Sequence, residues 1–141
     1  MQVQPYLFFE GRCEEAAAFY REALGAEVTA LMYYRDHPGQ NDSDACLPAN
    51  RTDNSVMHMS LRIGETAVMA SDGMCGGEPT FAGFALSLTG KDTAEAKRFY
   101  EALVADGSIV MPLGETFFSP RFGMVTDKFG VTWMVYVEPE E

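Results

Sequence analysis

Hydrophobic positions recur along this chain with two spacings, every second residue and every third or fourth. The points where one spacing gives way to the other mark its elements. Residues 4–9, Gln-Pro-Tyr-Leu-Phe-Phe, read as a first strand that ends in the turn Glu10-Gly11-Arg12. Residues 14–24 switch to the helical spacing: Ala17, Tyr20 and Leu24 form one apolar stripe, with Ala16 and Phe19 beside it. Glu14 and Glu15 fall in the first turn, where the helix dipole favours negative charge, and Gly25 is placed to stop the helix. Residues 28–34, rich in β-branched and aromatic side chains, read as a second strand. Residues 35–54 are polar, hold Pro38, Gly39 and Pro48, and predict a long surface loop. Residues 55–63 alternate as a strand, Gly64-Glu65 makes a tight turn, and residues 66–71 form the next strand. The Gly-rich run 72–83 reads as a linker.

The order then begins again. Residues 84–89 are a strand, and Lys91-Asp92-Thr93 opens a helix with Asp92 as its N-cap, running to about Asp106-Gly107. Residues 108–111, 121–126 and 131–137 are three more strands, the last two joined by the turn Asp127-Lys128-Phe129-Gly130. The letters repeat as well. Glu15-Ala16-Ala17-Ala18-Phe19-Tyr20 matches Glu95-Ala96-Lys97-Arg98-Phe99-Tyr100, and each is followed by Glu-Ala-Leu. This predicts a duplicated βαβββ unit, module 1 over about 3–72 and module 2 over about 83–138, split within residues 71–83. The competing reading is one continuous α+β sheet with two similar helices.

Length and composition narrow the class. At 141 residues the chain is one domain by size, and 47% hydrophobic with 22% charged residues is an ordinary globular balance. No apolar stretch is long enough to span a bilayer, and the N-terminus lacks the basic and cleavage regions of a signal peptide, so the expected location is cytoplasmic. A net charge of -11 argues against nucleic acid and anionic membrane as partners. Cys13, Cys46 and Cys75 form neither a CxxC pair nor a zinc framework and read as free thiols, with one disulfide as the other possibility.

A strand, a turn and a helix ending in Phe-Tyr and Ala-Leu-Gly resembles the opening of a vicinal oxygen chelate module, the unit of the glyoxalase, bleomycin resistance and extradiol dioxygenase superfamily. More narrowly, residues 6–16 (Tyr-Leu-Phe-Phe-Glu-Gly-Arg-Cys-Glu-Glu-Ala), Met69-Ala70-Ser71-Asp72 and residues 122–133 resemble the PhnB-like branch. The likeness covers residues 5–137 and implies an α+β fold in which each βαβββ module forms a curved, mixed four-stranded sheet. It implies further that the two sheets enclose a cleft with helices outside, and that the protein is a homodimer. PhnB-like proteins have also carried a methyltransferase label. This chain has no Gly-rich strand-to-helix loop suited to a nucleoside cofactor, and no cofactor is expected.

Metal-dependent members of the superfamily place His and Glu ligands on the first and last strands of each module. Carried over by the Phe-Tyr pairs, those positions fall at Pro5 and Ala85, near Met69 (or Val68) and near Met134. None of these binds a divalent metal, nor do the neighbours Gln4, Tyr6, Phe84, Leu86, Trp133 and Val135, so no metal site is expected.

Strand alternation supplies the remaining candidates. Met57, Met59, Leu61 and Ile63 share one face of their strand, leaving His58, Ser60 and Arg62 on the other. Phe84, Leu86 and Leu88 oppose Ala85, Ser87 and Thr89 in the same way. If the apolar faces pack on the helices, His58, Ser60, Arg62, Ser87 and Thr89 face the ligand. His58 is then a candidate general base and Arg62 an anion anchor, against a structural His and a solvated Arg at a strand end. Asp72 invites a catalytic reading, but turn Asp residues are commoner. Phe117, Phe118, Phe122 and Trp133 wall a pocket or fill core, and the nine methionines offer adaptable apolar surface. His37 reads as an exposed loop residue and Cys75 shows no base that would make it a nucleophile. Two functions fit: a metal-free protein that binds a small organic or anionic molecule, or a lyase or isomerase with His58 as base.

Overall fold

The computed structural model describes residues 1–36, 52–73, 78–116 and 121–138. They fall into two units, Met1–Pro79 and Thr80–Glu141, each a mixed four-stranded sheet with one helix. The first unit runs β1 (Tyr6–Phe8), α1 (Cys13–Leu24), β2 (Glu27–Tyr33), a short 3-10 turn (Tyr34–Asp36), β3 (Val56–Ile63) and β4 (Thr66–Ser71). Its strand order is β1-β4-β3-β2, with β1 parallel to β4 and the other pairs antiparallel. A parallel pair needs a crossover, and α1 with the two strands after it supplies one. Leu7, Met59, Leu61, Val68 and Ala70 are buried, as are Ala16, Ala17 and Tyr20 of α1. The Cys13 thiol donates to the Met59 sulfur at 3.8 Å, which puts Met59 on the helix side of the sheet.

The two ends of α1 are closed differently. At its C-terminus Gly25 takes the left-handed conformation (φ 71°) and its N–H donates to the Arg21 carbonyl at 3.0 Å. At its N-terminus the capping position is Arg12, whose side chain caps nothing. The cap comes from elsewhere in the chain: Asp72 Oδ1 accepts from the Cys13 N–H at 2.9 Å and Oδ2 from the Val56 N–H at 2.6 Å. Asp72 is 5% exposed, so one buried carboxylate ties the helix start to the first residue of β3.

The second unit repeats the order: β5 (Leu86–Gly90), α2 (Thr93–Val104), β6 (Ser108–Gly114), β7 (Arg121–Thr126) and β8 (Thr132–Val137), arranged β5-β8-β7-β6 with β5 parallel to β8. Here the cap is local, Asp92 accepting from the Glu95 N–H at 2.8 Å. Ala96, Leu103, Val125, Trp133 and Val135 form the core. Gly90 is needed for the helix to approach: a Cβ there would stand 2.9 Å from the Ala96 nitrogen. Buried Asp127 holds the β7–β8 turn, accepting from the N–H groups of Phe129 (2.9 Å) and Val131 (3.1 Å) and from Trp133 Nε1 (2.9 Å).

The duplicated strand-helix-strand-strand-strand order is therefore real, and the alternative of one continuous sheet is not what forms. Element ends shift by a few residues. β1 omits Gln4 and Pro5, β5 begins at Leu86 rather than residue 84, and α2 stops at Val104. β6 continues to Gly114 through Pro112, which an edge strand tolerates because its unpaired side needs no donor. Of the loop expected over 35–54, residues 37–51 lie outside the described residues, as do 74–77 of the linker.

Candidate functional site

The faces of each sheet follow from pairing, because paired residues share a face. In the first unit Leu7, Ala70, Met59 and Leu31 form one row, and Met59 fixes it on the α1 side. The next row, Tyr6, Met69, Ser60 and Ala30, therefore lies on the opposite face. His58 pairs with Met32 on that face as well. Tyr6, Phe8 and Met32 are all exposed large apolar side chains there, at 36%, 54% and 36%.

Within this surface the polar groups meet. The Tyr6 hydroxyl lies 3.2 Å from His58 Nδ1, and the Ser60 hydroxyl 3.4 Å from His58 Nε2. The Tyr6 and His58 rings are 5.7 Å apart and the Tyr6 and Phe8 rings 5.1 Å. A neutral imidazole has one donor and one acceptor nitrogen, and a hydroxyl serves either, so both tautomers of His58 are satisfied. Each tautomer is accommodated by the rotation of the two hydroxyls. Sequence alternation put His58 and Ser60 on one face but missed Tyr6. Its approach to His58 depends on β4 lying between β1 and β3, which no local pattern in the chain reveals.

Arg62 lies farther along β3, where its guanidinium donates to Glu27 Oε2 at 2.6 Å. Both side chains are more than half exposed. Glu27 sits opposite Arg62 across an irregular register between Val28 and Ala30, so this pairing too was hidden from the sequence. In the second unit Leu86 pairs with buried Trp133 and Leu88 with buried Val135, which leaves Ser87 and Thr89, both exposed, on the other face beside Met134 and Tyr136.

The metal positions carried over from the superfamily can be set beside their cross-strand neighbours. The β1 residue in a row with Met69 is Tyr6, while Pro5 lies before the strand and offers only its carbonyl to the Met69 N–H at 3.0 Å. The β5 residue in a row with Met134 is Ser87, and Ala85 lies before that strand. Neither unit's pair, a phenol with a thioether in the first and an alcohol with a thioether in the second, fits a divalent cation that selects imidazole, carboxylate or thiolate. Among the described residues no group of three or more His, Cys, Asp or Glu is arranged to hold a metal.

The other candidates resolve structurally. Asp72 is a clamp whose two oxygens are engaged by backbone N–H groups. Phe122 and Trp133 are buried. Burial, with the charges of Asp72 and Glu14, pushes the Cys13 thiol up to about 12, which makes it inert at neutral pH. His37, Cys46, Cys75, Phe117 and Phe118 lie outside the described residues. No described helix is long and apolar enough to cross a membrane.

Comparison with known proteins agrees with this fold. The family model for the Glyoxalase/Bleomycin resistance protein/Dioxygenase superfamily matches residues 2–135. Protein YjdN of Escherichia coli strain K12 is 37% identical over 144 residues, spanning 100% of this chain and 98% of that protein. Protein PA1353 of Pseudomonas aeruginosa is 37% identical, with 99% of each chain covered and a TM-score of 0.79. A PhnB protein from Bacillus cereus, named for 3-demethylubiquinone-9 3-methyltransferase, is 27% identical over 97% of this chain and 99% of its own, with a TM-score of 0.77.

Proposed function

This chain belongs to the Glyoxalase/Bleomycin resistance protein/Dioxygenase superfamily, and we propose that it binds a small, partly apolar organic molecule on the sheet face that carries His58. The observation behind this reading is the hydrogen-bonded row Tyr6–His58–Ser60 set in exposed aromatic and methionine surface. Such a surface takes the body of an organic ligand, while the row supplies a donor and an acceptor of adjustable polarity. The Tyr6 and Ser60 hydroxyls, oriented by the imidazole between them, can donate to or accept from a polar group of the ligand.

Arg62 is the anion anchor in this reading, though not a free one. An ion pair as exposed as Arg62–Glu27 contributes about 0.2–1 kcal/mol, so an incoming carboxylate or phosphonate can take the guanidinium from Glu27 at small cost. Ser87 and Thr89 serve as hydroxyl donors on their own sheet. A second reading keeps His58 as general base of a lyase or isomerase: substrate displaces one of the two hydroxyls, that ring nitrogen takes the substrate proton, and the other hydroxyl holds the ring in place. We read the protein further as a cytoplasmic homodimer, an assembly common in the superfamily; sedimentation at the mass of one chain at micromolar concentration would overturn the dimer.

The test is an NMR titration of the isotope-labelled protein with a panel of small organic acids and phenols. Binding at this face shifts the His58 and Ser60 amides. His58→Ala and Tyr6→Phe weaken it about tenfold, the ~1.4 kcal/mol of one good hydrogen bond. Arg62→Ala weakens only the anionic members. Equal affinity in all three variants overturns the reading.

A further inference from the structure

The two faces of the second sheet are told apart by Gly123. A Cβ there would stand 2.9 Å from Tyr100 Cε2 of α2, so Gly123 and its partner Val135 face the helix. Their neighbours in the chain, Met124 and Met134, therefore face away from it. On that outer face one row crosses all four strands. Ser87 of β5 pairs with Met134 of β8, Met134 with Met124 of β7, and Met124 with Met111 of β6. Three of the chain's nine methionines thus stand side by side on three adjacent strands. Met124 and Met134 are half-buried and Met111 is 43% exposed, so the row opens to solvent at the sheet edge.

This spacing lets three side chains share one ligand. Directly opposite residues have Cβ atoms about 4.5–5.5 Å apart. Methionine is unbranched and freely jointed, so its sulfur can swing toward a neighbouring strand. An ion above Met124 lies one strand from Met111 on one side and one strand from Met134 on the other. The flanking rows of this face offer nothing that would outcompete the sulfurs. Toward the β7–β8 turn lie Ser108, Thr126 and Thr132, the two threonine hydroxyls 3.1 Å from each other. On the other side lie Phe122, Tyr136 and Thr89. These described residues include no imidazole, carboxylate or thiol.

A thioether is a neutral, polarisable donor. Zinc takes imidazole, carboxylate and thiolate, and magnesium takes oxygen, whereas thioether sulfur selects Cu(I). The sulfurs bring no charge of their own, and the chain's net charge of -11 favours the approach of a cation.

We propose that Met111, Met124 and Met134 form a three-thioether site for a soft monovalent cation of the Cu(I) class. Only Met134 coincides with a metal position carried over from the superfamily; Met111 and Met124 lie on β6 and β7, which carry none of the four. The ion is held by coordination alone, with no change of oxidation state. The site is independent of the His58 face.

Ag(I) is the probe, because it shares the charge and softness of Cu(I). It is titrated in chloride-free buffer into the full chain labelled with methyl-13C methionine and carrying Cys46→Ser and Cys75→Ser, which removes two thiols that would compete. The methyl signals of Met111, Met124 and Met134 should move together and saturate at one equivalent, while the remaining methionines stay still. Zn(II) should move none of them. Met124→Leu, a substitution that conserves volume, should weaken Ag(I) at least about tenfold, and Met111→Leu at the exposed edge should weaken it without disturbing the core. Circular dichroism confirms that both variants are folded. Separate midpoints for the three methyls, shifts at other methionines only, or unchanged affinity in both variants would overturn the proposal. So would equal shifts with Zn(II).

Discussion

Replacing Asp72 by Ala removes both acceptors from two N–H groups that the surrounding structure seals from water. Asp72 is 5% exposed, Cys13 1% and Val56 1%, so neither donor can recruit solvent without opening the core. An unsatisfied buried donor costs about 1–3 kcal/mol, and loss of a negative charge at a helix start adds about 0.3–1 kcal/mol. The expected loss for Asp72→Ala is thus about 3–5 kcal/mol, a large part of the stability of a domain this size. Asp72→Asn retains one acceptor and should lose about half as much. The internal scale is Asp92→Ala in α2, a solvent-accessible local cap whose removal costs about 1 kcal/mol. Urea unfolding followed by far-UV circular dichroism measures all three, because the single tryptophan, Trp133, reports only on the second unit. A loss below about 1 kcal/mol for Asp72→Ala, or equal losses for Asp72→Ala and Asp92→Ala, would refute the clamp.

Further outcomes follow from two buried groups, Cys13 and Asp127. Iodoacetamide at pH 8 should leave Cys13 unmodified in the native protein and label it after unfolding, read by peptide mass spectrometry; labelling of native Cys13 at the rate of a free thiol contradicts its burial. Because burial raises the folded thiol from 9.0 to about 12, its contribution to stability is intact below pH 9 and is lost as pH climbs toward about 12. Asp127→Ala strips acceptors from two backbone donors and Trp133 Nε1, and should cost about 3–5 kcal/mol. The Trp133 fluorescence should shift with it, and an unchanged spectrum would show that the indole does not depend on Asp127.

Periodicity alone determined much of this protein. The apolar stripe of residues 14–24, Gly25 as its stop and Asp92 as an N-cap are local facts. They are decided by backbone geometry within one or two turns, and they reappear in the structure at those positions. Alternation along residues 56–63 was likewise enough to set His58 and Ser60 against Met59 and Leu61, because a strand has only two faces. The duplicated order of elements followed from the same local signals read twice. Only the tertiary structure decided which strands lie side by side, and every non-local pairing waited on that. The parallel β1–β4 contact brings Tyr6 to His58. The bulged β2–β3 register brings Glu27 to Arg62. Helix α1 begins with no cap of its own, and the missing cap is supplied by Asp72 from the far end of β4. Gly123, one small residue in a strand pattern, acquired meaning only once the fold laid the Tyr100 ring against it. Local preference acts over a few residues and leaves its mark in the letters. Contacts between strands far apart in sequence depend on sheet order and register, which emerge only when whole faces are buried together.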